Sequence, residues 1–128
     1  MQDWFLVAIG GSAGACSRFA LASYFENRSQ FPLATLLVNL MGCFLIGLMA
    51  GVGWMAPENP RRFFLAVGFL GSFTTFSAFG YETWRMIEQN RFLTIGANVG
   101  LNVIAGIALV ALGLWLGKSL WSPNLTEI

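Results

Sequence analysis

The residues of this chain with chemical potential are polar side chains set inside otherwise apolar stretches. Asn39 lies in an uncharged run from position 31 to 56. Thr94, Asn98 and Asn102 recur at four-residue spacing, with Gly106 one turn further. On a helix that spacing places them on one face. In hydrocarbon each such group needs a partner or a water path. A polar stripe can hydrogen-bond neighbouring helices, or it can line a hydrated ion path, and spacing alone allows both. A third stretch is more unusual. Between Gly68 and Gly80 the chain concentrates three glycines with the hydroxyls of Ser72, Thr74, Thr75 and Ser77. Glycine weakens a helix interior, and hydroxyls compete for backbone hydrogen bonds. The pattern predicts an irregularity near Gly71 to Thr75. Carbonyl oxygens freed there are hard ligands suited to a desolvated alkali cation such as Na⁺. A kinked helix closed by its own hydroxyls is the other solution. Phe76 and Phe79 follow three residues apart, at a spacing usual for core or lipid-facing rings. An aromatic ring nevertheless has a positive edge, which can hold a small anion without a fixed charge.

The elements that must position these groups follow from the charges. Seven Lys+Arg and six Asp+Glu are spread over 128 residues, with no His and 56% hydrophobic side chains. A soluble domain of this length carries about thirty-two charged residues. The net charge of +1 disfavours a nucleic-acid partner. The absence of His, with only two isolated cysteines, removes most metal and triad chemistry, and no enzyme is expected. The gaps between charge clusters have bilayer length. They predict an all-α membrane protein, a single domain over 1–128 with helices at about 4–25, 32–56, 62–87 and 92–118.

Met1, Gln2 and Asp3 give the first segment a negative lead-in, unlike a cleaved signal peptide, so it reads as a retained helix. Tryptophans at 4, 54, 84, 115 and 121 fall near segment ends, as interfacial aromatics do. Cys16 and Cys43 read as buried free thiols. Glycines at helix-packing intervals on the first, second and fourth segments predict close helix approach. Arg61, Arg62 and Lys118 fall on one side of the membrane and Arg28, Arg85 and Arg91 on the other, with Arg18 nearest that second side. So even a split sets no single orientation and fits insertion both ways, with assembly as an antiparallel pair.

The run GFLGSFTTFSAF from Gly68 to Phe79, followed by Glu82, resembles the CrcB/Fluc family of fluoride channels. Supporting matches are Gly10 to Phe19, which includes Arg18, and Thr35 to Gly42, which includes Asn39. The resemblance implies four transmembrane helices per subunit, the third broken near its centre, in an antiparallel dual-topology homodimer with two fluoride pores at the subunit interface. It implies that ring edges of Phe76 and Phe79 line the pore with Asn39, Thr75, Ser77, Asn98 and Asn102. Backbone carbonyls of Gly71 and Thr74 from both subunits would hold a structural, untransported Na⁺. Arg18 and Glu82 would stand at a vestibule; snorkelling is the simpler reading of Arg18, and pairing with Arg85 that of Glu82. Position 78 is Ala where relatives often carry Thr, and Gly106 stands where many carry Ser. Both departures affect the polar track rather than the Phe pair.

The expected activity is passive export of fluoride across the cell inner (plasma) membrane, giving resistance to the ion. Two rivals have different signatures. A small multidrug exporter needs an embedded carboxylate, and the first segment has none between Asp3 and Glu26. A non-catalytic membrane assembly subunit leaves the 68–80 run unexplained.

Overall fold

Long apolar stretches have a low-cost solution in hydrocarbon, the helix that closes its own backbone hydrogen bonds. The computed structural model describes residues 2–26 and 28–121, and within it these stretches form four helices. They are α1 (Gln2–Phe25), α2 (Leu33–Gly51), α3 (Phe63–Glu88) and α4 (Phe92–Trp121). Each is long and apolar enough to cross a membrane, and there is no strand among the described residues. Even α2, with 19 residues, spans about 28 Å at the helical rise. Positions 1, 27 and 122–128 of the expected 1–128 domain lie outside the described residues.

The helices pack by backbone approach. A Cβ on Gly10 would fall on the Phe64 carbonyl, and one on Gly14 on that of Phe69. Gly68 answers from α3, lying against Val7 and Gly11. The same device joins α2 to α4, where Gly47 and Gly51 meet Gly113 and Gly117 across a crossing that leaves no room for side chains. Small residues bring backbones within van der Waals reach, and that reach is what holds helices together in lipid. Between these crossings Met49, Ala66 and Leu70 form a buried cluster, flanked by Leu45, Ile46 and Phe69.

The connections end the helices with identifiable chemistry. α2 stops at Gly51, short of the expected 56, because the chain turns at Gly53 (φ 78°) and the Trp54 N–H reaches back to the Met49 carbonyl (2.9 Å). α3 ends where Asn90 takes a left-handed conformation (φ 55°), letting the Arg91 N–H bond the Met86 carbonyl at 2.9 Å. Arg91 also donates from Nη1 to the Gln30 carbonyl (3.1 Å), which joins the first and third connections at one end of the bundle. The thiol expectation is corrected at one position: Cys16 is exposed on α1, since the helix turns that face away from α3, while Cys43 is half-buried.

Two departures from regular geometry mark the middle of the molecule. Residues Phe63–Leu70 of α3 and Leu101–Ala105 of α4 are wound as π-helical turns. At Thr74 (φ −80°, ψ 157°) and Thr75 (φ −151°, ψ 111°) the backbone of α3 is extended, and helical winding resumes at Phe76. Gly71 itself is helical (φ −60°, ψ −30°).

Candidate ion path

The site grows from that extended pair. Thr74 donates its hydroxyl to the Leu70 carbonyl (2.9 Å), and its N–H goes to the same oxygen (3.0 Å), closing the first half of α3. Thr75 opens the second half as an N-cap, its Oγ1 accepting from the Ala78 N–H at 3.3 Å. Asn39 of α2 then clamps the gap. Its Oδ1 accepts from the Thr75 N–H (2.9 Å), while its Nδ2 donates to the Thr75 carbonyl (3.3 Å) and to Asn102 Oδ1 (2.9 Å). Gly42, one turn along α2, lets Thr74 approach so closely that a Cβ there would overlap the threonine methyl.

Two carbonyls lose their regular helical donors in this arrangement. The donor to Gly71 in an unbroken helix is the Thr75 N–H, which goes to Asn39 instead. The donor to Thr74 is the Ala78 N–H, which goes to the Thr75 hydroxyl. Gly71 is exposed and Thr74 half-buried, so both carbonyls are left open to another electrophile or to water.

From Asn39 the polar contacts continue along α4. Asn102 Nδ2 donates to the carbonyl of Asn98 (2.9 Å) and to its Oδ1 (3.1 Å). Asn98, with no exposed surface, donates to Thr83 Oγ1 (3.1 Å), and that hydroxyl donates to the Phe79 carbonyl (2.7 Å). Ser77 Oγ lies 3.3 Å from Thr75 Oγ1. The Phe76 and Phe79 rings stand 5.5 Å apart, tilted by 46°. Phe76 is 83% exposed, whereas Phe79 is half-buried.

Beside these rings lies an open groove of about 400 Å³, lined by Asn39, Gly42, Gly71, Thr74, Thr75, Phe76, Phe79 and Asn102 among others, with no charged side chain in its wall. Thus Asn39, Thr75, Phe76, Phe79, Asn102, Gly71 and Thr74 meet at one place. Arg18 and Glu82 do not share it. They line a separate cavity of about 150 Å³ with Thr35, Thr75 and Ala78. Glu82 Oε1 accepts from the Thr35 hydroxyl of α2 at 2.7 Å, so its hydrogen-bond partner is on another helix rather than at Arg85, and its buried Oε2 has none. Glu82 and Arg85 also border a wider cavity of about 510 Å³ that reaches Arg91 at the linked connections.

Sequence reasoning missed Thr35 and Thr83. Both lie four residues from a residue it selected (Asn39 and Phe79), and that helical interval was the available signal.

Residues 5–114 match the family model described as CrcB-like protein, Camphor Resistance (CrcB). A protein of Bordetella petrii named fluoride-specific ion channel FluC is 45% identical over 114 residues, covering 88% of each chain. One of the same name from Pyrococcus furiosus is 41% identical over 120 residues, covering 92% of this chain and 98% of its own. Another, from Methanococcus vannielii, is 35% identical over 122 residues, covering 94% and 100%. These relatives carry the name of a channel rather than of an enzyme. With four spanning helices and a match over most of its length, the chain is a multi-pass membrane protein and belongs to the CrcB-like family.

Proposed function

We propose that this protein is a fluoride channel that lets the ion leave the cytoplasm passively, and so confers resistance to it. The observation that carries the reading is the groove at Phe76 and Phe79, with amides and hydroxyls at its wall and no charged side chain. Fluoride gives up a strongly held hydration shell on entry, so the path must offer replacement donors. A fixed Lys or Arg would bind too tightly for release, whereas ring edges and neutral donors give the moderate, multi-site binding that conduction requires. The names of the relatives support fluoride as the ion. An interior-negative potential drives the anion outward with about 2.3 kcal/mol per charge per 100 mV, so no ATP site or proton relay is needed.

The functional unit in this proposal is an antiparallel homodimer. Phe76 and Leu93, 83% and 90% exposed, lie on the faces left open where the second half of α3 meets the start of α4. A second copy, inverted in the bilayer, would cover these faces and close each groove into a pore. At the two-fold axis the Gly71 and Thr74 carbonyls of both copies would hold a structural Na⁺. The donor set fits, since these are hard oxygens whose regular helical N–H donors are directed elsewhere. When bound, the ion supplies a fixed positive charge at the centre of the assembly. Ser77 and Asn39 would contact permeating fluoride, with Arg18 and Glu82 at the vestibule.

The test is efflux from proteoliposomes read with a fluoride electrode. Wild-type protein empties fluoride-loaded vesicles, and the double substitution Phe76→Ile, Phe79→Ile abolishes flux while leaving the elution volume of the assembly unchanged. Efflux no faster than from protein-free vesicles would refute the proposal.

A further inference from the structure

An ionised side chain inside an apolar helix is costly, and it is kept where water or an opposite charge meets it. Two such side chains of this protein line one cavity without bonding to each other. Arg18 of α1 and Glu82 of α3 are the charged residues in the wall of the cavity of about 150 Å³, and the rest of that wall is alanine, valine and threonine. α1 and α3 cross the membrane in the same direction. Arg18 precedes the end of α1 at Phe25, and Glu82 the end of α3 at Glu88, by about 10 Å of helical rise in each case. Equal depth on one side of the membrane and a shared cavity set the two charges opposite each other. Neither is satisfied. Glu82 Oε2 is buried with no hydrogen-bond partner, and among the described residues Arg18 has no hydrogen-bond or ion-pair partner.

The gap between them has room for several waters, and the two charged groups with Thr75 supply the polar partners that such waters need. Charges held apart in this way still attract, because the apolar surround screens them less than bulk water does. Arg85 is the nearer cation along the chain, yet it is exposed and absent from this cavity. We propose that Arg18 is the counter-charge of Glu82, acting across a water-filled cavity to keep the wall behind Thr75 neutral. Thr75 also lines the groove beside Phe76 and Phe79, so this wall stands directly behind the proposed ion path. A bare carboxylate there repels an entering anion, and a bare guanidinium holds it back from release. The inference rests on the channel reading for its effect on flux, but the pairing itself is measurable without any ion.

A double-mutant cycle tests it, with Arg18→Gln, Glu82→Gln and the two combined. The first readout is thermal unfolding of the detergent-solubilised protein in fluoride-free buffer. Each single variant leaves one charge uncompensated and is expected to lower the midpoint by about 4 °C or more, whereas the double variant, with neither charge, melts within about 2 °C of wild type. The second readout is fluoride efflux from liposomes. Each single variant slows it, and the double variant retains at least about tenfold more efflux than the product of the two single effects predicts. Arg18→Lys keeps the charge but not the shape of the guanidinium. It should therefore stay closer to wild type than Arg18→Gln in both readouts, since attraction across water does not need a bidentate fork. Additive midpoint shifts in the cycle overturn the pairing, as does an Arg18→Lys protein as impaired as Arg18→Gln. An equal coupling between Glu82→Gln and Arg85→Gln would also overturn it, by making Arg85 the counter-charge. If the wild type passes no fluoride yet the midpoints are coupled, the channel reading falls and the pairing stands. If a single variant cannot be recovered, purified yield replaces the midpoint; the double variant must then be recovered, and its loss as well overturns the pairing.

Discussion

The crossings of α1 with the first half of α3, and of α2 with the second half of α4, differ in kind from the region between them. At the crossings, glycine backbones lie against opposing carbonyls, and no side chain intervenes at Gly10, Gly14, Gly47 or Gly113. Around Thr75, by contrast, the helices are joined by amides and hydroxyls, and an open groove runs alongside. Shape alone holds the first kind of contact, which tolerates almost no added volume. Direction holds the second, since each donor must meet an acceptor. The bundle therefore spends its rigid packing where nothing moves through, and keeps its adjustable polar contacts where an ion is proposed to pass.

That contrast can be broken in graded steps. Gly113→Leu pushes a side chain into the Phe44 and Gly47 backbone, and should cost more than about 3 kcal/mol, the upper range for overpacking. Size-exclusion chromatography should show little monodisperse protein; a well-folded variant would mean the crossing is looser than it stands here. Asn39→Leu removes the clamp on Thr75 but no packing glycine. Protein should still be recovered, while efflux falls about tenfold or more, in line with the loss of a buried hydrogen bond. Thr35→Val strips Glu82 of its hydroxyl donor, and should lower stability by about 1.5–3 kcal/mol, as for a hydrogen bond to a charged group, read by thermal unfolding. Gly96→Ala is the smallest step. A Cβ there meets nothing within 4 Å, so in the single chain helix propensity should stabilise it by up to about 1 kcal/mol. A marked loss of dimer in cross-linking would instead place a second copy against that face.

The first kind of contact was far more legible in the sequence than the second. Apolar runs of bilayer length, the first broken only by Arg18, announce four helices, and glycines at 10, 14, 47, 51, 113 and 117 announce that their backbones approach. What could not be read was which glycines serve packing: Gly96 and Gly100 look the same on paper and face open space. The site was legible as a set of residues but not as a circuit. Asn39, Asn98 and Asn102 stand out as polar groups among apolar ones, yet their order in a hydrogen-bonded line depends on where α2 and α4 cross α3. Thr35 and Thr83 signal themselves only by their four-residue interval from Asn39 and Phe79, which is weak because a single threonine in a helix commonly bonds its own preceding turn. The π-helical winding at 63–70 and 101–105 was invisible as well, since such turns are rare and no residue pattern announces them.

The Arg91 bond to the Gln30 carbonyl bears on how the chain is made. It joins the loop that ends the first spanning segment to the loop that begins the last, so its two halves emerge from synthesis some sixty residues apart (Gln30 and Arg91, |i−j| = 61). Until α4 has been laid into the membrane, the earlier loop lacks this anchor, and the depth of α2 relative to α3 is set by helix contacts alone. Closure of the latch then adds a tie between the two connections to helix registers already set at the glycine crossings. Four crossings already bring both loops to the same side of the membrane, and the bond draws them together there.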